Sequence, residues 1–178
     1  KQNVMLDFEA SKYTMNIEIK GTGRALPSAI LTNKQLEQYV ETSDEWIKER
    51  TGITKRHLST GETVASLSAD ASLKALSKAS VKAEDIELII VATCSPEMAL
   101  PCVACQVQSA IGAKKAVAFD LNAACAGFLF AMNTVDAYIS SGISTTSAIL
   151  VRQLSICCEI SVTILEEISS FFSYSKES

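Results

Sequence analysis

No apolar run in this chain reaches the roughly 18 residues that cross a bilayer. No basic segment followed by an apolar core opens it. The first absence argues against a membrane span, the second against a secretory signal, and the expected location is the cytoplasm. Lysine and arginine number 16 against 20 acidic residues, a net charge of −4, and they form no basic run. Nucleic acid and anionic membrane are therefore poor partners. Histidine occurs once, as His57 beside Lys55 and Arg56, and reads as a surface residue. A dinucleotide fingerprint is missing too. Gly21 and Gly23 begin a G-x-G, but the third glycine would fall at Leu26, with Pro27 after it.

What is present supports a core. The chain has 178 residues, 48% of them hydrophobic and 20% charged. That suits one domain, or one half of a larger two-part fold. Six cysteines occur, at 94, 102, 105, 125, 157 and 158. In a cytosolic protein they are expected to be reduced. Cys102 and Cys105 form a C-x-x-C, which suits a redox pair, half a zinc site, or two small residues on a buried helix. With no second C-x-x-C and a single histidine, the last reading is favoured and no metal is expected.

Local patterns give an order of elements. Residues 1–14 show no clear period and read as an N-terminal extension before Met15. "MNIEIKGTG" alternates as a strand does and then enters a glycine turn. Thr32 to Gln35 fits a capping box before a short helix through Val40, and Thr42 to Glu45 fits a second before a helix ending at Gly52. Thr63–Ala79 has helical spacing. "IELIIVATC" is a continuous apolar run, as a strand buried on both faces requires. A helix between Pro101 and Gly112, a buried strand "AVAFDL", a helix Ala126–Ser141 and a strand opening at "SAILV" follow. Alternation of this kind predicts an α/β fold, its sheet parallel or mixed, with helices on both faces.

Within "DLNAACAGFLF", Cys125 falls between strand and helix, flanked by Ala123, Ala124, Ala126 and Gly127. A helix N-terminus offers unpaired N–H groups and a positive dipole end, which favour a thiolate. The small neighbours leave room for a substrate, and backbone N–H groups there suit an oxyanion. A nucleophile on a strand-to-helix turn is one reading. A small cysteine filling a tight helix–sheet contact is the other.

Several stretches together bear on that choice. "GTGRALP", "TNKQLEQYVETSDEWIKERTGITKRH", "IELIIVATCSPEMALPCVACQVQSAIG" and "AFDLNAACAGFLFAM" resemble the β-ketoacyl-acyl carrier protein synthases III, the initiating condensing enzymes of bacterial fatty acid synthesis. The similarity runs from about Met15 to Val151. It implies a thiolase-like α/β fold, of which this chain is the N-terminal half of a pseudo-duplicated core. It also implies an acyltransferase without a cofactor, acyl-CoA being a substrate. Cys125 matches the nucleophile that takes an acyl group from coenzyme A. The thioester then condenses with malonyl-acyl carrier protein, with loss of carbon dioxide. Thr42, Trp46 and Arg50 match coenzyme A contacts, a role that suits a planar aromatic and a cation. Leu100 matches a position that reaches across a homodimer to line the acyl pocket. The family also draws a histidine and an asparagine from its second half, which these residues do not include. His57 lies in the first-half "TKRH" segment and does not match that histidine.

After Val151 the family pattern stops. Residues 152–178 hold no glycine or proline, and Arg152 interrupts what should be a buried strand. The segment reads as an atypical tail, an out-of-frame translation being one origin and a replacement tail or gene-model error others. Ile156–Phe172 also suits an amphipathic capping helix. Competing readings of the whole are another thiolase-like synthase, such as a hydroxymethylglutaryl-coenzyme A synthase or a ketosynthase of secondary metabolism, and a non-catalytic interaction fragment. A redox protein built on Cys102 and Cys105 is the third class.

Overall fold

Leu88–Ala92 is the strand buried on both faces that its unbroken apolar run requires: all five residues are buried. It stands inside a five-stranded sheet of a computed structural model that describes residues 17–143, 147–154 and 159–167. In chain order the elements are strands β1 (Ile17–Ala25) and β2 (Ala29–Thr32), helices α1 (Asn33–Leu36) and α2 (Asp44–Thr51), and strand β3 (Lys55–Leu58). Helix α3 (Val64–Ala79), strand β4 (Leu88–Ala92), helix α4 (Val103–Ile111), strand β5 (Val117–Leu121) and helix α5 (Gly127–Ser140) follow. Strands β6 (Ser147–Leu154) and β7 (Glu159–Glu167) complete the described chain. The proposed extension, residues 1–14, and the pair Cys157 and Cys158 lie outside the described residues.

The sheet order is β1-β7-β6-β4-β5. Strand β4 runs parallel to both β5 and β6, whereas β7 is antiparallel to β6 and β1. Successive side chains point to opposite faces, so the apolar strands feed two cores. Ile89, Val91, Ile149, Val151, Val162 and Ile164 pack beneath α3 and α4. Leu88, Ile90, Ala148, Leu150 and Leu165 pack against Ala131, Val135 and Ile139 of α5. Helices thus cover both faces of a mixed sheet, as the alternation predicts. Among the described residues no helix is long and apolar enough to cross a membrane.

Four expectations need correction. Gly21 and Gly23 form no turn; β1 runs through both to Ala25. They are glycines because α3 crosses β1 at very short range. A Cβ on Gly23 would sit 2.0 Å from the Ala71 carbonyl oxygen, and one on Gly21 2.6 Å from that of Ala75. Strand β5 is not fully buried. It is an edge strand, with Val117 exposed and the rest half-buried. Arg152 does not end its strand: β6 runs on to Leu154, with Arg152 paired to Ala92. Finally, the helical reading of Ile156–Phe172 fails over Glu159–Glu167. That stretch is an inner strand, and its "ISVTI" is rich in β-branched residues, which favour a pleated surface.

A polar lock secures the chain between β1 and α3. Both oxygens of Glu62 accept backbone N–H bonds, from Ser28 at 3.0 Å and Thr60 at 2.8 Å. These bonds, Ser28 first, pull its carboxyl down from 4.5 to about 2. The unfolded chain binds that proton more readily than the folded one, so the contribution is complete above pH 4.5 and is lost as pH falls towards 2. Between those limits, denaturant unfolding of the native chain should lose stability with falling pH more steeply than that of Glu62→Gln. Parallel slopes would mean that the lock contributes nothing.

Candidate active site

Strand β5 ends at Leu121, and Asn122 and Ala123 lead into a 3-10 turn, Ala124–Ala126, that runs directly into α5. Ala124 has φ +44°, in the left-handed region that side chains rarely adopt. Such a conformation costs roughly 1–3 kcal/mol and persists only where the surroundings over-determine it. Here the Ala126 N–H bonds the Ala123 carbonyl at 3.0 Å. Gly127 lies so near β4 that a Cβ on it would be 3.1 Å from that of Ala92. Cys125, on this turn, is exposed. The packing role is therefore taken by Gly127, and the thiol faces solvent at the N-terminal end of α5.

Asp120 carries a role that its sequence position does not disclose. From β5 its two carboxylate oxygens accept the Val103 N–H at 2.9 Å and the Ala104 N–H at 2.8 Å. It therefore binds the start of α4 to the strand that delivers Cys125. The loop between β4 and α4 bears Leu100, which is 85% exposed. Strands β4 and β5 are parallel neighbours, so this loop and the Cys125 turn leave the sheet at the same, carboxyl end. Ligands in α/β sheets commonly sit outside that end.

Thr42, Trp46 and Arg50 come together on α2 and the residues before it. The Arg50 guanidinium lies 4.8 Å from the centre of the Trp46 ring, and the indole is 53% exposed. Glu41, Thr42, Ser43 and Trp46 line an open groove of about 270 Å³. The helix cap differs from the expected one. Ser43, not Thr42, is the N-cap, accepting the Trp46 N–H at 3.1 Å. Thr42 lines the groove, its hydroxyl oxygen buried and without a hydrogen-bond partner among the described residues. Gly52 closes α2 at φ +71°, as its sequence position predicts.

Asn33 holds that platform. It is buried, and its amide N–H groups donate to the Asp44 carboxylate at 2.8 Å and the Ile53 carbonyl at 2.7 Å. Arg56 donates to its side-chain oxygen at 2.7 Å. Asn33 thus grips the chain at both ends of α2. The Lys48 ammonium, with Asn33 second, holds the Asp44 carboxyl below its ordinary range. His57 is half-buried on β3, its Nδ1 2.6 Å from the Pro27 carbonyl oxygen, and so is not the free surface residue its neighbours suggest.

Comparison with known proteins follows the same lines. Residues 119–165 match the family model of 3-oxoacyl-[acyl-carrier-protein] synthase III, a match that continues beyond Val151. A β-ketoacyl-[acyl-carrier-protein] synthase III of Clostridium acetobutylicum is 49% identical over 135 residues, 76% of this chain and 42% of the relative. One from Bacillus cereus is 50% identical over 129 residues, again covering 42% of its length. The chain therefore spans about two fifths of the length of these curated relatives. The crystal structure of 3-oxoacyl-[acyl-carrier-protein] synthase III from Aquifex aeolicus superimposes with TM-score 0.79 at 35% identity, covering 85% of this chain and 54% of that one. A priming β-ketosynthase from the R1128 polyketide pathway does so with TM-score 0.79 at 27% identity, covering 85% and 50%. The mixed sheet with helices on both faces is a thiolase-like α/β fold. Sequence, fold and family model alike match this chain to part of the 3-oxoacyl-[acyl-carrier-protein] synthases III.

Proposed function

We propose that this chain supplies the acyl-accepting part of a 3-oxoacyl-acyl carrier protein synthase III. The observation that carries the reading is the exposed thiol of Cys125 on the strained turn between β5 and α5. The thiol gives its proton to water, and the sulfur attacks the thioester carbonyl carbon of an acyl-CoA. A carbon–sulfur bond forms to Cys125, and coenzyme A leaves as its thiolate, which takes a proton from water. The Trp46 face and the Arg50 cation suit the nucleotide end of coenzyme A, and Thr42 lines the same groove. Leu100, exposed on its loop, fits the acyl-pocket role across a homodimer.

The next step, decarboxylative condensation with malonyl-acyl carrier protein, calls in this family for a histidine and an asparagine of the second half. His57 does not stand in, because it is bonded to Pro27 on a strand of the separate β2–β3 sheet. The expected behaviour of these 178 residues alone is acyl loading without carbon–carbon bond formation. Incubation with acetyl-CoA, followed by trypsin and mass spectrometry, tests it. Peptide Ala116–Arg152 contains Cys125 as its single cysteine. An acetyl group on that peptide, removable by hydroxylamine, is the expected result. Its absence while the chain is folded would favour the non-catalytic reading.

A further inference from the structure

A second thiol chemistry lies at the start of α4. Cys102 is the N-cap of that helix and Cys105 stands one turn further on. Their sulfurs are 3.4 Å apart, the Cys102 thiol donating to Cys105. Cys105 also lies 3.8 Å from the Ala118 carbonyl oxygen. Both are half-buried, so a small molecule can reach them. The helix joins two parallel strands, β4 and β5, which makes the C-x-x-C the opening of a βαβ crossover, a setting associated with dithiol redox chemistry.

We propose that Cys102 and Cys105 form a reversible dithiol–disulfide pair that exchanges with low-molecular-weight disulfides, independently of Cys125. Bringing the sulfurs from contact to a bond of about 2.05 Å needs a movement of little more than an ångström. Cys102 has extended backbone, φ −63° and ψ 162°, and so lies outside the helical backbone that Cys105 shares. The residues between the two cysteines are already fixed, because the N–H groups of Val103 and Ala104 both bond Asp120. Ring closure therefore orders little that is not ordered in the dithiol. A metal is the poorer occupant: among the described residues no three metal-binding side chains converge here.

The steps balance. Contact with Cys102, and then burial, push the Cys105 thiol up, and Cys102, at the N-cap of α4, is the sulfur assigned to the first attack. Cys102 gives its proton to water as its sulfur attacks one sulfur of the small disulfide, forming a mixed disulfide and releasing one thiolate, which takes a proton from water. Cys105 then gives its proton to water, and its sulfur attacks that of Cys102. The Cys102–Cys105 bond forms, and the second thiolate leaves and takes a proton from water. Two protein thiols are oxidised by two electrons, and one disulfide is reduced to two thiols.

The full chain is equilibrated in glutathione buffers of graded ratio, quenched in acid and alkylated. Cleavage at Met98 and Lys114 isolates Ala99–Lys114, which contains these two cysteines alone and excludes Cys94 and Cys125. The expected peptide is two hydrogens lighter, loses both alkylation sites together, and is restored by dithiothreitol. The same titration in guanidinium sets the unfolded reference, and the folded pair should stay oxidised at a roughly tenfold more reducing thiol-to-disulfide balance. The Cys102→Ser chain should show, at most, a glutathione adduct on Cys105. Separate alkylation of the two thiols throughout, a stable adduct that never resolves, or no shift against the unfolded reference would each overturn the proposal.

Discussion

Replacing Cys125 by serine should lower acyl transfer from acetyl-CoA to the chain by roughly a thousandfold or more, about 4 kcal/mol of transition-state stabilisation. Among the described residues no base is hydrogen-bonded to Cys125, and the one histidine is held at Pro27. A thiol tolerates that arrangement, since a few per cent is thiolate at neutral pH and sulfur is intrinsically nucleophilic. A hydroxyl does not, because without a base it stays protonated. The fold should be unaffected: the position is exposed, and the neighbouring contact with β4 is made by Gly127. The rate of acetyl gain on Ala116–Arg152 measures the loss, with circular dichroism showing that the variant remains folded. A serine chain that loads as fast as the native one would place the acyl acceptor elsewhere and remove Cys125 from the mechanism.

The parts of this site that sequence makes legible are those written in local pattern. Cys125 lies between an apolar strand and an apolar helix, and α2 carries Trp46 and Arg50 one turn apart. The parts that are not legible depend on distant partners. Asn33 follows a capping threonine and looks like an ordinary first-turn residue, yet its bonds reach Asp44, Ile53 and Arg56. Asp120 looks like a polar break in a strand until α4 arrives to place two N–H groups on it. Gly21 and Gly23 invite a turn because glycine tolerates one. Only the approach of α3 shows that they are there to lack a Cβ. The choice between Thr42 and Ser43 as helix cap turns on one residue of backbone, where sequence patterns are least sharp. It matters here, because it decides which hydroxyl is taken up by the Trp46 N–H and which is left without a partner among the described residues.

Deleting residues 155–178 should abolish cooperative folding. Among the described residues, strand β7 is the one neighbour through which β1 joins the sheet, so its loss frees β1 on one side and leaves β6 with an open edge on the other. It also removes the buried side chains Val162, Ile164 and Leu165. At about 1.5–3 kcal/mol each, they contribute roughly 5–9 kcal/mol, comparable with the whole stability of a typical domain. Unpaired strand edges beside an exposed core promote aggregation, so the shortened chain is expected in the insoluble fraction, or soluble without a thermal transition. The experiment bears directly on the proposed boundary after Val151. A tail of accidental origin with no place in the fold could be removed at no cost, and the shortened chain would then melt cooperatively at the native temperature. A collapse on deletion means that, whatever its origin, the segment supplies the inner strand. Without it α3 loses Val162 and Ile164 from the core beneath it, and β1, on which it also packs, is cut off from the rest of the sheet.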